Sequence, residues 1–148
     1  MVMVDVQYAV EHAALPGESD FHAWAAAIAS SGDKPQEVSL RIVNEQEMRE
    51  LNSRYRNKAC ATNVLSFPAE LHAEVDIPFI GDVIICAPVV DKEAAEQGKS
   101  VISHWAHMTV HGILHLQGFD HNDDAEAAEM EHTEITILKK LGYSNPYI

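Results

Sequence analysis

The sequence has 148 residues and a mass of 16.4 kDa, with 47% hydrophobic residues, 22% charged residues and a formal net charge of −13. This length and composition predict one globular domain, residues 1–148, that buries about two thirds of its unfolded surface without disulfides or a metal to hold it together. Because the amino terminus lacks a basic region, the apolar runs are short, and Cys60 and Cys86 lie in unlike contexts, we expect a cytoplasmic protein without membrane helices or a disulfide framework.

The first third of the chain predicts a strand, a helix and a second strand. Apolar residues occupy alternate positions in the first strand, as expected where one face is buried: Val2, Val4, Val6 and Tyr8. Residues 19–31 predict a helix that begins at Ser19 or Asp20 and is ended by Gly32. The same alternation returns at residues 38–42, which predicts the second strand.

The middle of the chain predicts a helix and two further strands. Asn44 followed by Glu47 resembles a capping box, which indicates a helix that continues to about Tyr55. The stretches "NVLSFP" and "GDVIIC" are typical of strands. An acidic, proline-containing segment at residues 69–78 separates them.

The last third of the chain predicts three helices. They span residues 88–97, 101–116 and 124–141, and Gly142 ends the last of them. Strands therefore cluster early and helices late. This order favours an α+β fold, with a small mixed sheet of about four strands packed with about five helices.

Basic residues are few, but four of the ten fall within one stretch, "RELNSRYRNK": Arg49, Arg54, Arg56 and Lys58. Acidic residues crowd instead into residues 120–134. The net charge argues against a nucleic-acid partner, because phosphate binding depends on Lys and Arg. The basic cluster has two interpretations, a solvated helix face or a local anion site on a repulsive surface.

Three histidines are spaced to bind one metal ion. On the helix predicted at residues 101–116, His111 and His115 are one turn apart, so both rings point from one face. Gly118 permits a turn that ends the helix and could bring His121 over the same centre. Three imidazoles with an open fourth position are typical of a catalytic zinc site, whereas a structural site has four protein ligands.

The other histidines are expected to be packed or exposed rather than ligating: His12, His22, His72, His104, His107 and His132. His107, His111 and His115 form a straight ladder along one helix. The outer members of such a ladder cannot occupy tetrahedral corners around a single ion. We therefore expect one of the three to lie behind the ligands or simply to be packed.

The spacing of the histidines invites comparison with zinc peptidases. The motif H-E-x-x-H-x-x-G-x-x-H places a glutamate beside the first histidine, where it acts as general base. This chain has Gly112 at that position. The metal site is thereby kept while the usual proton acceptor is absent, so the metal-bound water, another group or the substrate must take its place.

The chain resembles the YbeY family of bacterial metal-dependent single-strand endoribonucleases. The resemblance rests on "HGILHLQGFDH" together with "HWAHMTVH", "TNVLSFP", "GDVIIC" and "LGYSNPY", and it covers roughly residues 38–147. It implies an α+β fold and zinc held by His111, His115 and His121. It also implies activity that depends on an arginine matching Arg56, and we place Arg56 and His111 in the catalytic centre. The segment "KACATN" departs from the family, where many relatives have a proline before the threonine.

The resemblance also implies a substrate and partners. These are single-stranded and ribosomal RNA, with a role in maturing the 3′ end of 16S ribosomal RNA and in ribosome quality control. A ribosomal partner is expected, whereas DNA and membranes are not. Further candidates for substrate binding are Arg49, Arg54 and Lys58. Attack by a metal-bound hydroxide or by the RNA 2′-hydroxyl stays open.

Two alternatives remain. One is a metallopeptidase with Asp120 or Glu70 as its base, and the other is a non-catalytic ribosome-assembly module with a structural metal. Aromatic side chains that could stack on bases are equally suited to core packing: Tyr55, Phe67 and Phe79.

Overall fold

The computed structural model describes residues 1–12, 14–30, 34–69 and 78–148. Within these ranges the elements are β1 (Val2–Tyr8), α1 (Glu18–Ala26), β2 (Gln36–Val43), α2 (Glu45–Arg56), β3 (Val64–Pro68), β4 (Phe79–Cys86), α3 (Ala87–Gln97), α4 (Val101–Leu116) and α5 (Asp124–Lys140). Their order and number confirm the predicted α+β fold. No helix in this part of the chain is long and apolar enough to cross a membrane.

The four strands form one mixed sheet in the order β1-β2-β4-β3. The pairs β1–β2 and β2–β4 are parallel, whereas β3 runs antiparallel to β4. Among the described residues β3 is therefore an edge strand. The free edge of β3 forms one side of the candidate active site.

Alternation along the strands divides the apolar side chains between the two faces of the sheet. On one face Leu40, Ile42 and Val83 belong to the main core, which also contains Trp105 and Ile113 of α4. On the other face a smaller cluster packs under α2: Val43, Met48, Leu65, Ile84 and Cys86. Helices α4 and α2 thus lie on opposite faces of the sheet.

The start of helix α1 differs from the prediction. The N-cap is Gly17 rather than Ser19 or Asp20, and the helix begins at Glu18. The N–H of Gly17 donates to the carboxylate of Asp20 at 3.0 Å. Asp20 thus lies within the first turn, where its carboxylate accepts the N–H of the N-cap residue. The sequence alone did not distinguish this position from the N-cap itself.

The end of helix α1 also differs. The helix ends at Ala26, five residues before residue 31. Ile28 follows in a tighter turn, in which its N–H bonds the Ala25 carbonyl at 3.0 Å, and its side chain enters the core with 1% of its surface exposed. The chain therefore leaves the helix where Ile28 enters the core. The predicted stop, Gly32, lies outside the described residues.

Helix α2 has half of the predicted capping box. The Asn44 side chain accepts the N–H of Glu47 at 2.8 Å, as expected for an N-cap. The Glu47 carboxylate does not complete the box, because it accepts two bonds from Arg41, at 2.7 and 3.1 Å. The helix ends at Arg56, where Asn57 adopts a left-handed conformation with φ of 56°.

Candidate active site

Three histidine side chains meet at the carboxyl end of α4. The ring centres of His111 and His115 are 4.7 Å apart, and that of His121 lies 6.0 Å from the first and 5.2 Å from the second. One ligand nitrogen from each ring lies within 4.8 Å of the other two. Nitrogens about 2.1 Å from a tetrahedral ion are about 3.4 Å from one another. Modest side-chain rotations would bring all three onto one ion, so these residues fit a divalent metal.

The turn after α4 carries His121 back to the other two rings. Gly118, with φ of +101°, donates its N–H to His115 O at 3.1 Å, and Phe119 donates to Leu114 O at 3.1 Å. This bond pattern is a Schellman motif, which requires a positive φ that glycine adopts without strain. Phe119 packs against the main core and anchors the turn. The predicted role of Gly118 in ending the helix is thus confirmed.

Two charged or titratable groups beside this turn have shifted pKa values. Burial lowers the pKa of His115, and the neighbouring His111 and His121 lower it further. Its imidazole is therefore neutral near pH 7, which is the form that binds metals. The His121 N–H, which donates to Asp120 at 2.8 Å, lowers the pKa of the Asp120 carboxyl. A carboxylate with a lowered pKa is a weaker proton acceptor, which disfavours Asp120 as a general base.

Packing against the sheet explains the glycine at position 112. A Cβ atom at Gly112 would lie 2.6 Å from Cγ1 of Val83 and 3.2 Å from Cγ2 of Val64. The Gly112 carbonyl also accepts the hydroxyl of Ser66 at 2.9 Å. Position 112 therefore faces β3 and β4, and the sheet occupies the space that a glutamate would need.

A buried carboxylate lies behind the histidines. Glu134 of α5 is 0% exposed and bonds His111 Nδ1 at 2.5 Å and His107 Nε2 at 3.1 Å, and it accepts the hydroxyl of Tyr147. Burial alone would raise the pKa of Glu134, but these three contacts outweigh burial and lower it to about 2. Glu134 is therefore ionised at neutral pH.

Sequence reasoning missed both Glu134 and Tyr147. Met130, Glu134, Ile137 and Leu138 share the buried face of α5, at the spacing of a helix stripe. An acidic residue within this apolar stripe was a signal that could have been used. Tyr147 follows the last helix, and nothing in the local pattern predicted its contact with Glu134.

A cavity of about 570 Å³ opens beside the three histidines. Arg56 lies on its wall together with Asn63, Ser66 and Asp120. Arg56 lies at the end of α2, and His111 and His115 lie on α4. Helices on opposite faces of the sheet therefore both contribute to this cavity, which lies at the edge strand β3. In the part of the chain that the structure describes, Arg56 donates to no acceptor.

The other basic residues of the cluster lie elsewhere. Arg49, Arg54 and Lys58 are exposed, and none of them lies on the cavity wall. Arg49 approaches Glu45, one turn earlier, at 3.5 Å. The structure thus separates Arg56 from its neighbours, and contact of the other three with substrate stays a prediction.

Asn63 and β3 complete the wall. The Asn63 amide donates to both oxygens of Glu93, at 3.1 and 3.3 Å, and its side-chain oxygen accepts the Val64 N–H at 2.7 Å. The Asn63 carbonyl accepts the N–H of Cys86, and the Ala69 N–H donates to the Ile80 carbonyl. Because hydrogen-bonded positions alternate along an antiparallel pair, the backbone N–H and C=O of Ser66 point outward from the free edge of β3. The Ser66 N–H therefore adds an outward donor at this edge.

The remaining histidines that the structure describes are packed or exposed, as predicted. His104 bonds Glu93 at 3.0 Å, His12 pairs with Asp91, and His22 and His132 are exposed. His72 and the alternative base Glu70 lie outside the described residues.

The three aromatic candidates for base stacking lie off the cavity wall. Tyr55 is 58% exposed and contacts Phe67, with ring centres 5.2 Å apart, and Phe79 begins β4. The aromatic residue on the wall is Phe119, which sequence reasoning did not single out. Stacking on Tyr55, Phe67 or Phe79 stays a prediction.

Comparison with known proteins identifies the family. The family described as "Endoribonuclease YbeY" matches residues 10–142. A protein named Endoribonuclease YbeY from Nitrosococcus oceani is 49% identical, covering 99% of this chain and 97% of its own length. One of the same name from Pseudomonas savastanoi is 52% identical, covering 99% of this chain and 89% of its own length.

A solved structure supports the fold. The solution structure of a Thermotoga maritima protein has a TM-score of 0.60 and 24% sequence identity, covering 95% of this chain and 89% of that chain. It bears on the fold alone, whereas the sequence relatives bear on the family. On their similarity, this chain belongs to the YbeY endoribonuclease family.

Proposed function

We propose that this chain is a zinc-dependent, single-strand-specific endoribonuclease that matures ribosomal RNA, including the 3′ end of 16S ribosomal RNA, and acts in ribosome quality control. The observation that carries the proposal is that Arg56 and the three histidines share one cavity. This cavity combines a metal-binding group with a cation suited to phosphate. Membership of the family supports RNA as the substrate.

The donor set supports zinc as the cofactor, with one ion per chain. Three imidazoles suit a borderline-soft ion, and a fourth position remains for water or substrate. Zinc bound at His111, His115 and His121 would supply a Lewis acid for a phosphoryl oxygen and a water with its pKa near about 7. The lowered pKa of His115 favours the neutral ring that such binding requires.

Arg56 is suited to bind the scissile phosphate. Its planar guanidinium can donate to two phosphoryl oxygens at once, and it is free to do so because no described residue accepts from it. Negative charge builds on those oxygens in the transition state, so this contact lowers the barrier as well as orienting the strand. Arg49, Arg54 and Lys58 would contact the RNA strand farther from the bond that is cut.

Among the described residues, the cavity has no carboxylate well suited to act as general base. The sheet excludes a side chain at Gly112, and Asp120 already accepts the His121 N–H. RNA brings its own 2′-hydroxyl as a nucleophile, which reduces the need for an enzyme base. Attack by that hydroxyl would leave a 2′,3′-cyclic phosphate, whereas attack by water would not, so product analysis distinguishes the two routes.

The same observations weigh on the alternatives. A metallopeptidase needs a strong base beside its water, and Asp120 is disfavoured by its lowered pKa. If the metal were purely structural, Arg56, which shares the cavity and donates to no described acceptor, would have no role there. A ribosomal partner and a cytoplasmic location belong to the proposal through the family alone, and DNA and membranes are not expected partners.

The test is cleavage by the zinc-loaded protein at fixed salt. Labelled single-stranded RNA, duplex RNA, single-stranded DNA and casein are offered in parallel, and we expect only single-stranded RNA to be cut. An RNA with one 2′-deoxy nucleotide at the cleavage position then reports the nucleophile. Cleavage of casein, or no cleavage of any substrate, would contradict the proposal.

A further inference from the structure

We propose that Glu134 and the carboxy-terminal residues Asn145–Tyr147 position the metal ligand His111, by holding its ring in the tautomer that presents Nε2 to the metal. The inference rests on the proposed metal site and not on RNA cleavage. Glu134 and Tyr147 are positioning residues, since neither lies on the wall of the cavity.

The contact between Glu134 and His111 specifies where the ring proton lies. His111 Nδ1 is 2.5 Å from Oε1 of Glu134, and Oε2 of the same group accepts the Tyr147 hydroxyl, so Glu134 is the acceptor on which these donors converge. Nδ1 must therefore carry the proton, which leaves the lone pair on Nε2. Because Nδ1 of His111 is engaged by Glu134, Nε2 is the nitrogen left for the group formed with His115 and His121. Metal-binding histidines commonly donate their other N–H to a carboxylate in this way.

Further donors hold the Glu134 carboxylate in place. His107 Nε2 lies 3.1 Å from Oε2, and the Tyr147 hydroxyl donates to the same oxygen. With its proton on Nε2, His107 has an unprotonated Nδ1, and this buried atom has no hydrogen-bond partner among the described residues. Glu134 therefore cannot turn away from His111 without losing contacts on its other oxygen.

The carboxy-terminal residues cover the Glu134 carboxylate on its solvent side. The Pro146 carbonyl accepts the ammonium group of Lys99 at 2.6 Å, and the Tyr147 N–H bonds the Asn145 side chain at 2.8 Å. These contacts bring the Tyr147 ring centre to 5.3 Å from that of His107. Tyr147 is itself 45% exposed, so it covers the carboxylate from the solvent side.

A second metal ion is the competing explanation for this group. His107, His111 and Glu134 also have potential ligand atoms within 4.8 Å of one another. Contacts of 2.5 and 3.1 Å between these residues are hydrogen-bond distances, and the Tyr147 hydroxyl already contacts the carboxylate. We therefore assign the group to positioning, and a second bound ion there would overturn the assignment.

The first experiment reads the tautomer directly in the wild-type protein. Nitrogen-15 NMR of the metal-free protein, with the imidazole signals assigned, should show His111 protonated at Nδ1 and not at Nε2. The opposite tautomer would overturn the proposal without any variant. This result is independent of whether the protein cuts RNA.

The second experiment measures zinc affinity by competition with a chelator, with no RNA present. Glu134→Gln should weaken zinc binding by about 10- to 100-fold, and Tyr147→Phe should weaken it less. The matched control is Glu131→Gln, the same change at an exposed position of α5, which should bind zinc as the wild type does.

Thermal midpoints of the metal-free variants separate positioning from folding. A Glu134→Gln protein that is destabilised but keeps wild-type zinc affinity would show a purely structural role and overturn the proposal. If Glu134→Gln does not fold, the wild-type tautomer and the Tyr147→Phe affinity decide the question. Weakened zinc binding in a protein whose wild type cuts no RNA would support the positioning role while contradicting the proposed function.

Discussion

The two walls of the cavity are built in opposite ways. On the histidine wall, α4 packs against the sheet, the Gly118 turn has its bonds satisfied, and the wholly buried Glu134 bonds His111. On the arginine wall, Arg56 is exposed at the end of α2 and donates to no described acceptor. We therefore expect the histidine wall to be held in place before a ligand arrives and the arginine wall to gain its contacts only with the ligand. Substitutions on the first should therefore alter metal binding or folding, and substitutions on the second should alter turnover alone.

The largest effect is expected when the histidine wall loses its ligands. The double variant His111→Ala, His115→Ala should bind no zinc and cut no RNA, because one remaining imidazole cannot hold the ion. Elemental analysis checks the metal, and circular dichroism checks the fold. The control is His132→Ala, an exposed histidine on α5. Full metal content in the double variant would rule out this site.

The arginine wall should respond in turnover without a change in stability. Arg56→Lys keeps the charge but loses the two-pronged donor, so RNA cleavage should fall by about 10²-fold or more, and Arg56→Glu should be worse. The free energy of unfolding, measured by chemical denaturation, should stay within about 0.5 kcal/mol of the wild type, as for other exposed positions.

Two neighbours serve as controls for Arg56. Arg49→Lys and Arg54→Lys change exposed arginines on the same helix that do not line the cavity, and we expect little change in rate. Equal tolerance at all three positions would refute the catalytic role of Arg56. A loss of rate that only follows a loss of folding in Arg56→Lys would refute it as well.

Packing under the histidine wall should be tested at Gly112. Gly112→Ala places a methyl group 2.6 Å from Val83, so it should destabilise the protein by about 1–3 kcal/mol in chemical denaturation. Val83→Ala makes room for that methyl. The double variant should therefore be more stable than the sum of the two single changes predicts. Strict additivity would show that Val83 is not the residue in conflict with position 112.

Removal of the metal should loosen one segment rather than unfold the chain. A core of this size forms without metal, so chelation should raise hydrogen exchange around Gly118 and His121 while circular dichroism is retained. The strands of the sheet serve as the internal control. Global loss of structure would show that the metal is structural and would favour the assembly-module alternative.

The smallest expected effect is on the pH dependence of stability. Burial lowers the pKa of His104, which is 3% exposed, although its bond to Glu93 partly opposes the shift. Because the folded pKa lies below the unfolded value of about 6.5, the stability linked to His104 is fully present above that pH and is lost as the pH falls through the folded pKa. Thermal midpoints of metal-free His104→Gln should thus fall less between pH 8 and pH 5 than those of the wild type. Identical slopes would contradict the shift, and exposed His22→Gln is the control.

Local pattern was enough to predict the helix and turn that carry the histidines. Helix α4 has the predicted bounds, and His111 and His115 share one face because they are four residues apart. Gly118 predicted the turn because few other residues adopt its conformation without strain. The predicted end of α1 was wrong, because the chain turns into the core at Ile28, whose burial depends on contacts that lie far away in the sequence.

The sequence by itself thus determined the order of the elements, the histidine spacing and the resemblance that singled out Arg56. Those features depend on neighbours within one or two helical turns, or on the motif order along the chain. Only the tertiary structure decided that Arg56, and not Arg54, shares the cavity with the histidines, and that Glu134 and Tyr147 stand behind His111. These contacts join α2, α4, α5 and the chain end, which come together through packing around the sheet. Local periodicity carries no information about that packing.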